Sequence, residues 1–192
     1  QAVHHGAWAK SPVFSFWLTP QSELAGKTIG IIGLGRIGTA VAKLASAFGM
    51  QVLAYTRTEK PGIQCVDLDT LLHRSDVISL HCPLLPETTE MICEEAIAKM
   101  KDGAILLNTS RGGLLNEAAV AQALETGKLS YAAVDVVSQE PILAGNPLLS
   151  APNCIITPHM AWAPVESRQR LMACVEQNLA AFLRGRAQNV VN

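Results

Sequence analysis

An arginine, a glutamate and a histidine each follow an apolar run of the sequence. Arg111 lies in "NTSRGG", Glu140 in "AVDVVSQEP" and His159 in "ITPHMAW". Together these residue types suit the reduction of a 2-keto acid by a hydride donor. A guanidinium holds the carboxylate through two parallel hydrogen bonds, and an imidazole gives a proton to the carbonyl oxygen as hydride arrives. A carboxylate on the other ring nitrogen holds the imidazole in place and favours its protonated form. Taken singly, each residue is typical of a surface charge or a turn, so the surrounding elements must decide.

The segment "GLGRIG" places Gly33, Gly35 and Gly38 between the apolar run "TIGIIG" and a helical pattern. A dinucleotide-binding fingerprint requires this placement. The first glycine allows the tight turn, the second lets the backbone approach a pyrophosphate, and the third lets helix and strand pack closely. The helix N-terminus adds free N–H groups and a partial positive charge. A glycine-rich turn without a ligand is the alternative, and the strand–turn–helix context favours the dinucleotide.

The end of the second predicted strand, "AYTRTEK", bears on the choice of dinucleotide. A carboxylate about 20 residues after the glycines ordinarily binds the adenine ribose. Thr56 occupies that place here, followed by Arg57 and Lys60. Without the carboxylate nothing repels a 2′-phosphate, and Arg57 can bind it, so the pattern favours NADP slightly over NAD. Two alternatives stay open: both cations are solvated loop charges, or the Thr56 hydroxyl serves the ribose of NAD.

Short apolar runs alternate with helical patterns along the chain. Strands are predicted at 28–33, 51–55, 65–66, 76–80, 104–108, 131–137 and 154–157. A helix is predicted between the 28–33 strand and Gly49, with Ile37, Val41, Leu44 and Phe48 on one face. Further helices are predicted at 67–75, 94–100 and 116–126, the last capped by Asn116 and ended by Gly127. Strands that are apolar throughout are expected where helices cover both faces of a parallel sheet. We therefore predict an α/β fold over residues 26–163: a Rossmann-type doubly wound parallel sheet with helices on both faces. Its strand ends bring the arginine, glutamate and histidine to one edge, where ligands bind.

The two ends of the chain differ from this pattern. Residues 1–25 hold Trp8, Phe14, Phe16 and Trp17, and such an aromatic segment should pack on another subunit or domain. Residues 164–192 open with a long helical pattern that leaves the sheet. The chain also starts without Met. We interpret 1–25 as an inter-domain packing segment, 26–163 as the dinucleotide-binding domain and 164–192 as a crossing helix, with a separate substrate domain largely absent from this chain.

Composition excludes several classes of function. The chain has 192 residues, 49% hydrophobic, and a net charge of −1, so it lacks the basic excess of a nucleic-acid-binding protein. No apolar run approaches the roughly 20 residues that cross a bilayer, and no signal-peptide layout is visible. Five cysteines without a CxxC pair predict neither a disulfide framework nor a metal site. We expect small buried thiols in a reducing, cytoplasmic setting.

The chain resembles the D-isomer-specific 2-hydroxyacid dehydrogenases over most of its length. The resemblance rests on "ELAGKTIGIIGLGRIG", "LHCPLLPETTEMI", "LLNTSRGGLLNEAAVAQAL", "AAVDVVSQEP" and "TPHMAWA", in that order. It implies that Arg111 binds the substrate, that Glu140 pairs with His159, and that His159 is the acid and base. The missing acid at Thr56 departs from the family pattern and puts the usual preference for NAD in doubt.

The same resemblance implies a cofactor site along the strand ends. Asp135 is placed like the family residue that holds the nicotinamide amide, His81 and Pro83 line the adenosine side, and Thr88 reaches the pyrophosphate. The full set of expected cofactor-binding residues is Gly33, Gly35, Arg36, Ile37, Gly38, Thr56, Arg57, Thr58, His81, Pro83, Thr88, Thr109, Asp135 and His159.

Within the family, "PHMAWA" with Trp162 resembles the glycerate dehydrogenase, or hydroxypyruvate reductase, branch. The expected reaction converts hydroxypyruvate to D-glycerate, or glyoxylate to glycolate, with NAD or NADP. The expected partner is a small-molecule 2-keto or 2-hydroxy acid, without nucleic acid or membrane, in a homodimer of the kind that is common in this family. The alternative is a non-catalytic dinucleotide-sensing module similar to the C-terminal binding protein corepressors. The three residues of the acid–base set favour the enzyme.

Overall fold

The computed structural model describes residues 1–191. Within them, seven parallel strands form one sheet in the order β3-β2-β1-β4-β5-β6-β7. The strands are β1 (Thr28–Ile32), β2 (Gln51–Tyr55), β3 (Gln64–Cys65), β4 (Val77–Leu80), β5 (Ala104–Asn108), β6 (Leu129–Val134) and β7 (Cys154–Ile156). The chain winds outward from β1 in both directions, and the direction of winding changes between β1 and β4. Such a switch point is where ligands bind in open α/β sheets.

Five α-helices accompany the sheet within the described residues. They are α1 (Arg36–Ala47), α2 (Leu68–Arg74), α3 (Glu94–Ala98), α4 (Glu117–Glu125) and α5 (Val165–Leu183). Asn116 caps α4 through its side-chain oxygen, which accepts from the Ala119 amide at 3.0 Å. Gly127 follows that helix in the left-handed region, at φ 77°. The predicted cap and stop of α4 are therefore confirmed. None of the helices within residues 1–191 is both long and apolar enough to cross a membrane.

The sheet is covered on both sides, as a doubly wound fold requires. One cluster of buried side chains joins Leu71 of α2, Ile97 of α3 and Val120 of α4 to the strands. The other lies under Ala42 and Ala45 of α1. All five residues of β1 are buried. The predicted fold class is confirmed, because the apolar strands are the central ones and helices pack against both faces.

Two details of the sequence prediction need correction. Strand β6 ends at Val134 and not at residue 137, although Val136 and Val137 are buried. The chain leaves the ladder at Asp135, whose carboxylate binds the loop that follows β7. The predicted two-residue strand at 65–66 lies one residue earlier.

The apolar face of α1 points away from the sheet. Ile37, Leu44 and Phe48 are more than 60% exposed, whereas the buried residues of α1 are Gly38, Ala42 and Ala45. Small residues let the helix lie close to β1, which leaves the large ones outside. The aromatic segment 1–25 and the apolar residues of α5 are also largely exposed. The expectation of buried thiols is wrong, because the five cysteines are free but only partly buried.

Candidate functional site

The turn between β1 and α1 is built around its glycines. Gly33 has a φ of 100°, and its amide donates to the Tyr55 carbonyl at 2.8 Å, which ties the turn to β2. A Cβ atom on Gly38 would overlap the carbonyl oxygen of Gly33, so only glycine permits this approach. At Gly35, by contrast, a Cβ atom meets no other heavy atom within 4 Å among residues 1–191. The turn therefore leaves open space directly before the N-terminus of α1.

A cleft of about 560 Å³ lies at the carboxyl ends of β1, β2 and β4. Its lining includes Gly33, Gly35, Thr56, Arg57, Thr58, His81, Pro83 and Thr88 from the predicted cofactor set, together with Lys60 and Cys82. These residues are brought together as a dinucleotide site requires. Arg36, Ile37, Gly38, Thr109, Asp135 and His159 are not part of that lining. Their contribution to cofactor binding stays a prediction.

The end of β2 offers cations and a hydroxyl to this cleft. Arg57 and Lys60 are exposed, and Thr56 is half-buried. Within residues 1–191 the Arg57 side chain has no hydrogen-bond or ion-pair partner. The Thr56 hydroxyl bonds only its own turn, donating to the Thr58 carbonyl at 3.3 Å. The guanidinium is therefore available to an anionic group of a ligand.

His81 closes the cleft at the end of β4. Its Nε2 lies 2.8 Å from the Ser79 hydroxyl, and burial lowers the pKa of its imidazole. A neutral ring is therefore favoured there. The Thr88 hydroxyl forms hydrogen bonds within its own loop. It accepts from the Leu85 amide at 2.8 Å and donates to the Pro83 carbonyl at 2.9 Å. The contact of Thr88 with the pyrophosphate stays a prediction.

His159 and Glu140 form a close pair across the ends of β7 and β6. The Nδ1 atom of His159 lies 2.7 Å from the Oε2 atom of Glu140. The other oxygen, Oε1, is 3.2 Å from the Val137 amide and accepts from it. The hydrogen bond to the imidazole holds the pKa of Glu140 below its usual range and outweighs the opposing effect of desolvation. The other ring nitrogen, Nε2, has no hydrogen bond within residues 1–191.

Asp135 organises the loop that carries His159. Its carboxylate accepts from the Thr157 hydroxyl and from the amides of Met160 and Ala161, each amide at 2.9 Å. Burial raises the pKa of this carboxyl, but the hydrogen bonds outweigh burial and keep the pKa below its usual range. Trp162 closes the loop with a 2.9 Å hydrogen bond from its indole to the His159 carbonyl. The expected contact of Asp135 with a nicotinamide amide stays a prediction, since its oxygens are already engaged.

Arg111 lies at the end of β5 on a loop held from within. Asn108 is fully buried, and its amide nitrogen donates to the Arg111 carbonyl at 2.8 Å. Its oxygen accepts from the Ser110 amide at 3.0 Å, while the Ser110 hydroxyl donates to the Cys82 carbonyl at 2.7 Å. The guanidinium is exposed and folds back on the Ser110 carbonyl. Within the described residues it forms no hydrogen bond or ion pair with Glu140 or His159. Its binding of a substrate carboxylate stays a prediction.

A second cavity, of about 670 Å³, is lined by His159 and Glu140 together with Asp135. Apolar side chains such as Ile142, Leu149 and Ile156 line the rest of it. This cavity lies on the β6–β7 side of the sheet edge, and the dinucleotide cleft lies on the β1–β2 side. The predicted site residues that line these cavities thus form two groups along one edge of the sheet. Five others line neither cavity: Arg36, Ile37, Gly38, Thr109 and Arg111.

Sequence reasoning missed several residues that shape the site. Asn108, Ser79 and Glu117 each bind the main chain or a side chain of a predicted site residue or of its loop. A polar residue at the end of an apolar strand is a usable signal for Asn108. Glu117 gave no such signal, because an acidic residue in the first turn of a helix is ordinary.

The doubly wound fold and the glycine-lined cleft are those of a dinucleotide-binding α/β domain. The chain belongs to the D-isomer specific 2-hydroxyacid dehydrogenase family, whose NAD binding domain its residues 1–161 match.

Named relatives agree with this assignment. The chain is 55% identical to a hydroxypyruvate reductase of Blautia hydrogenotrophica, over 100% of this chain and 61% of that protein. It is 49% identical to a glycerate dehydrogenase of Methylorubrum extorquens, over 99% of this chain and 60% of that protein. The fold of a D-lactate dehydrogenase from Lactobacillus jensenii, solved with NAD+, superposes with a TM-score of 0.84 at 32% identity, covering 98% of this chain and 62% of that one. The chain thus spans about three fifths of the length of these relatives.

Proposed function

We propose that this chain is the cofactor-binding part of an NAD(P)-dependent oxidoreductase that interconverts a D-2-hydroxy acid and its 2-keto acid. Hydroxypyruvate to D-glycerate is the first choice of reaction, and glyoxylate to glycolate is the second. The observation that carries the proposal is the 2.7 Å pair of His159 and Glu140 at the edge of the sheet that also holds the glycine-lined cleft. The names of the two relatives support the choice of substrate.

The residues divide the chemistry among themselves. The nicotinamide cofactor supplies the hydride when it is bound. Glu140 orients the His159 ring through Nδ1, so that Nε2 can give a proton to the substrate carbonyl oxygen in reduction or take one from the hydroxyl in oxidation. Arg111 holds the substrate carboxylate, which fixes the reacting carbon near the imidazole. Gly35 and the N-terminus of α1 receive the pyrophosphate.

Activity is tested by the variant His159→Gln in the protein that includes a substrate domain. We expect the kcat for hydroxypyruvate reduction to fall about 10²–10⁴-fold, the usual contribution of a general acid. The Kd for dinucleotide, measured alongside, tests whether His159 also contacts the cofactor as expected, since His159 lies outside the lining of the dinucleotide cleft. His73→Gln is the matched control, since His73 is an exposed residue near the end of α2. A protein without reductase activity that binds a protein partner in response to NADH would instead indicate the corepressor-like alternative.

The proposed domain organisation explains the exposed apolar surface. Residues 1–25 and the crossing helix α5 expose Trp17, Phe14 and Phe182, which a substrate domain or a second subunit would cover. On this proposal the 192-residue chain alone binds dinucleotide but turns over substrate poorly, because one wall of the cleft is missing. Robust turnover by the chain alone would contradict it.

We also propose that the site leans towards NADP. Arg57 is exposed, lines the cleft and has no protein partner within residues 1–191, and no carboxylate stands at Thr56 to repel a 2′-phosphate. The Thr56 hydroxyl can also form a hydrogen bond with the ribose of NAD. The difference in affinity between NADP and NAD therefore depends on the interaction of Arg57 with the 2′-phosphate.

Fluorescence titration of the chain with NADPH and with NADH decides this point. We expect NADPH to bind about tenfold more tightly, which corresponds to about 1.4 kcal/mol. Arg57→Ala should remove that difference, whereas Arg74→Ala, at the far end of α2, should keep it. Tighter binding of NADH would assign the ribose to Thr56 and make Arg57 a solvated charge.

A cytoplasmic homodimer completes the proposal. The five free cysteines fit a reducing compartment. Segment 1–25 and the outward face of α1 expose apolar side chains that a second copy of the chain could bury.

A further inference from the structure

The carboxylate of Glu117 binds both ends of the segment that carries Glu140. Glu117 is the first residue of α4. Its Oε1 accepts from the Ser138 amide at 2.6 Å, and its Oε2 accepts from the Ser138 hydroxyl at 2.8 Å. Oε2 also accepts from the side-chain amide of Asn146 at 2.8 Å. One side chain thus joins residue 138 and residue 146 to the same helix.

A carboxylate suits this position better than any neutral side chain. All three partners are donors, and an ionised carboxyl group is an acceptor at both oxygens. Hydrogen bonds to a charged acceptor are roughly twice as strong as neutral ones. Asn146 is fixed in turn, because its own oxygen accepts from the Leu148 amide at 3.0 Å. The segment between the two anchors is short and contains Glu140.

The loop that contains Arg111 also packs against the start of this segment. A Cβ atom on Gly112 would overlap the carbonyl of Val137 and the amide nitrogen of Ser138. Gly112 directly follows Arg111, and Ser138 is two residues before Glu140. Gly112 therefore packs against the start of the Glu140 segment, and Glu117 binds both its start and its end.

We propose that Glu117 is a positioning residue for the acid–base pair. Its carboxylate fixes segment 138–146 on α4, so that Glu140 stays paired with His159 and at a constant separation from the Arg111 loop. The inference rests on the proposed oxidoreductase function, which defines what the pair is positioned for. Glu117 itself touches neither the dinucleotide cleft nor the cavity of the acid–base pair.

The test compares Glu117→Gln with the unchanged protein and with Glu125→Gln, all carrying the substrate domain. Glutamine has the same shape, but its NH₂ group would face at least one N–H or O–H donor that now binds a carboxylate oxygen. Glu125 is the exposed last residue of the same helix and gives the matched control. The measurements are kcat, the Kd for dinucleotide, the unfolding temperature, and the NMR resonance of the proton between His159 and Glu140.

For Glu117→Gln we expect kcat to fall about tenfold, because misplacement of a reacting group by a fraction of an ångström already costs rate. The resonance of the shared proton should broaden or disappear, while the Kd for dinucleotide stays unchanged. Glu125→Gln should match the unchanged protein in all four measurements. A merely stabilising role would lower the unfolding temperature without moving the resonance.

The proposal is overturned if Glu117→Gln keeps either the kcat or the resonance of the unchanged protein. Should that variant fail to fold, Ser138→Ala combined with Asn146→Ala removes two of the three bonds and is judged by the same two measurements. Should the unchanged protein show no reductase activity, the proposed function fails, and the resonance alone decides the role of Glu117.

Discussion

His159 is held by two carboxylates that follow the neighbouring strand β6. Glu140 fixes its Nδ1 atom, and Asp135 fixes the backbone that follows it through the amides of Met160 and Ala161. His159 itself has a φ of 50°, in a region that costs a non-glycine residue energy. The hydrogen bonds of Asp135 to the next two amides stabilise this backbone. The orientation of the imidazole is therefore set before any ligand arrives.

At the residue scale, the lowered pKa of Glu140 predicts a pH-dependent contribution to stability. A carboxyl group whose pKa is lower in the folded protein than in the unfolded chain stabilises the fold above its unfolded pKa, near 4.5. That contribution is lost as the pH falls through the folded pKa. Its size is at most about 1 kcal/mol, because both side chains are more than a third exposed to solvent.

Urea unfolding of Glu140→Gln and of the unchanged protein, between about pH 6 and about pH 3, measures this contribution. The difference in unfolding free energy should be constant at the upper end and shrink towards the lower end. Glu125→Gln supplies the control, with a difference near zero throughout. A Glu140 difference that persists undiminished at the lowest pH would show that ionisation of this carboxylate is not its source.

At the element scale, the contact between α1 and β1 depends on Gly38. A methyl group there would overlap the Gly33 carbonyl, a backbone atom that cannot move aside without distorting the turn. We expect Gly38→Ala to lower the free energy of unfolding by about 1–3 kcal/mol, despite the better helix propensity of alanine. Gly145→Ala is the matched control, because a Cβ atom there has nothing within 4 Å among residues 1–191. Urea unfolding midpoints give the comparison, and an unchanged or raised midpoint for Gly38→Ala would contradict it.

Elements that depend on local residue patterns could be predicted from the sequence. The apolar strands β1, β4 and β5, the cap at Asn116 and the stop at Gly127 were all recognisable, because local chemistry dictates them. The end of β6 was not, since Val136 and Val137 are apolar and buried but lie outside the ladder. What ends the strand is Asp135, and its partners are more than 20 residues away in the sequence. No local pattern carries that information.

The orientation of α1 against the sheet is a second feature that the local sequence pattern does not predict. Its large apolar residues form a clear face, and its small residues form another. A pattern identifies both faces without saying which one meets the sheet. The structure places the small face inward, because Gly38 and Ala42 allow a close approach. The site residues were recognisable by type, whereas the anchors Asn108 and Glu117 become visible only through their distant partners.

At the scale of the whole molecule, the outward face of α1 predicts self-association. Leu44 and Phe48 are each 63% exposed, and burying them against a second copy would remove apolar surface from water. We expect Leu44→Asp combined with Phe48→Asp to turn a dimer into a monomer in sedimentation equilibrium. Leu143→Asp, on an exposed loop elsewhere, should leave the mass unchanged. A monomeric unchanged protein, or a double variant that stays dimeric, would contradict the prediction.

The interlocked loops after β5 and β6 bear on how new specificities can be engineered into this scaffold. Gly112 accepts no side chain against Val137 and Ser138, and Glu117 binds Ser138 and Asn146. A loop transplanted from another protein at 137–146 alone would therefore meet an unmatched surface at 111–117. The two stretches form one exchangeable cassette, and recombination should cut the chain outside both of them, in β5 and beyond residue 147.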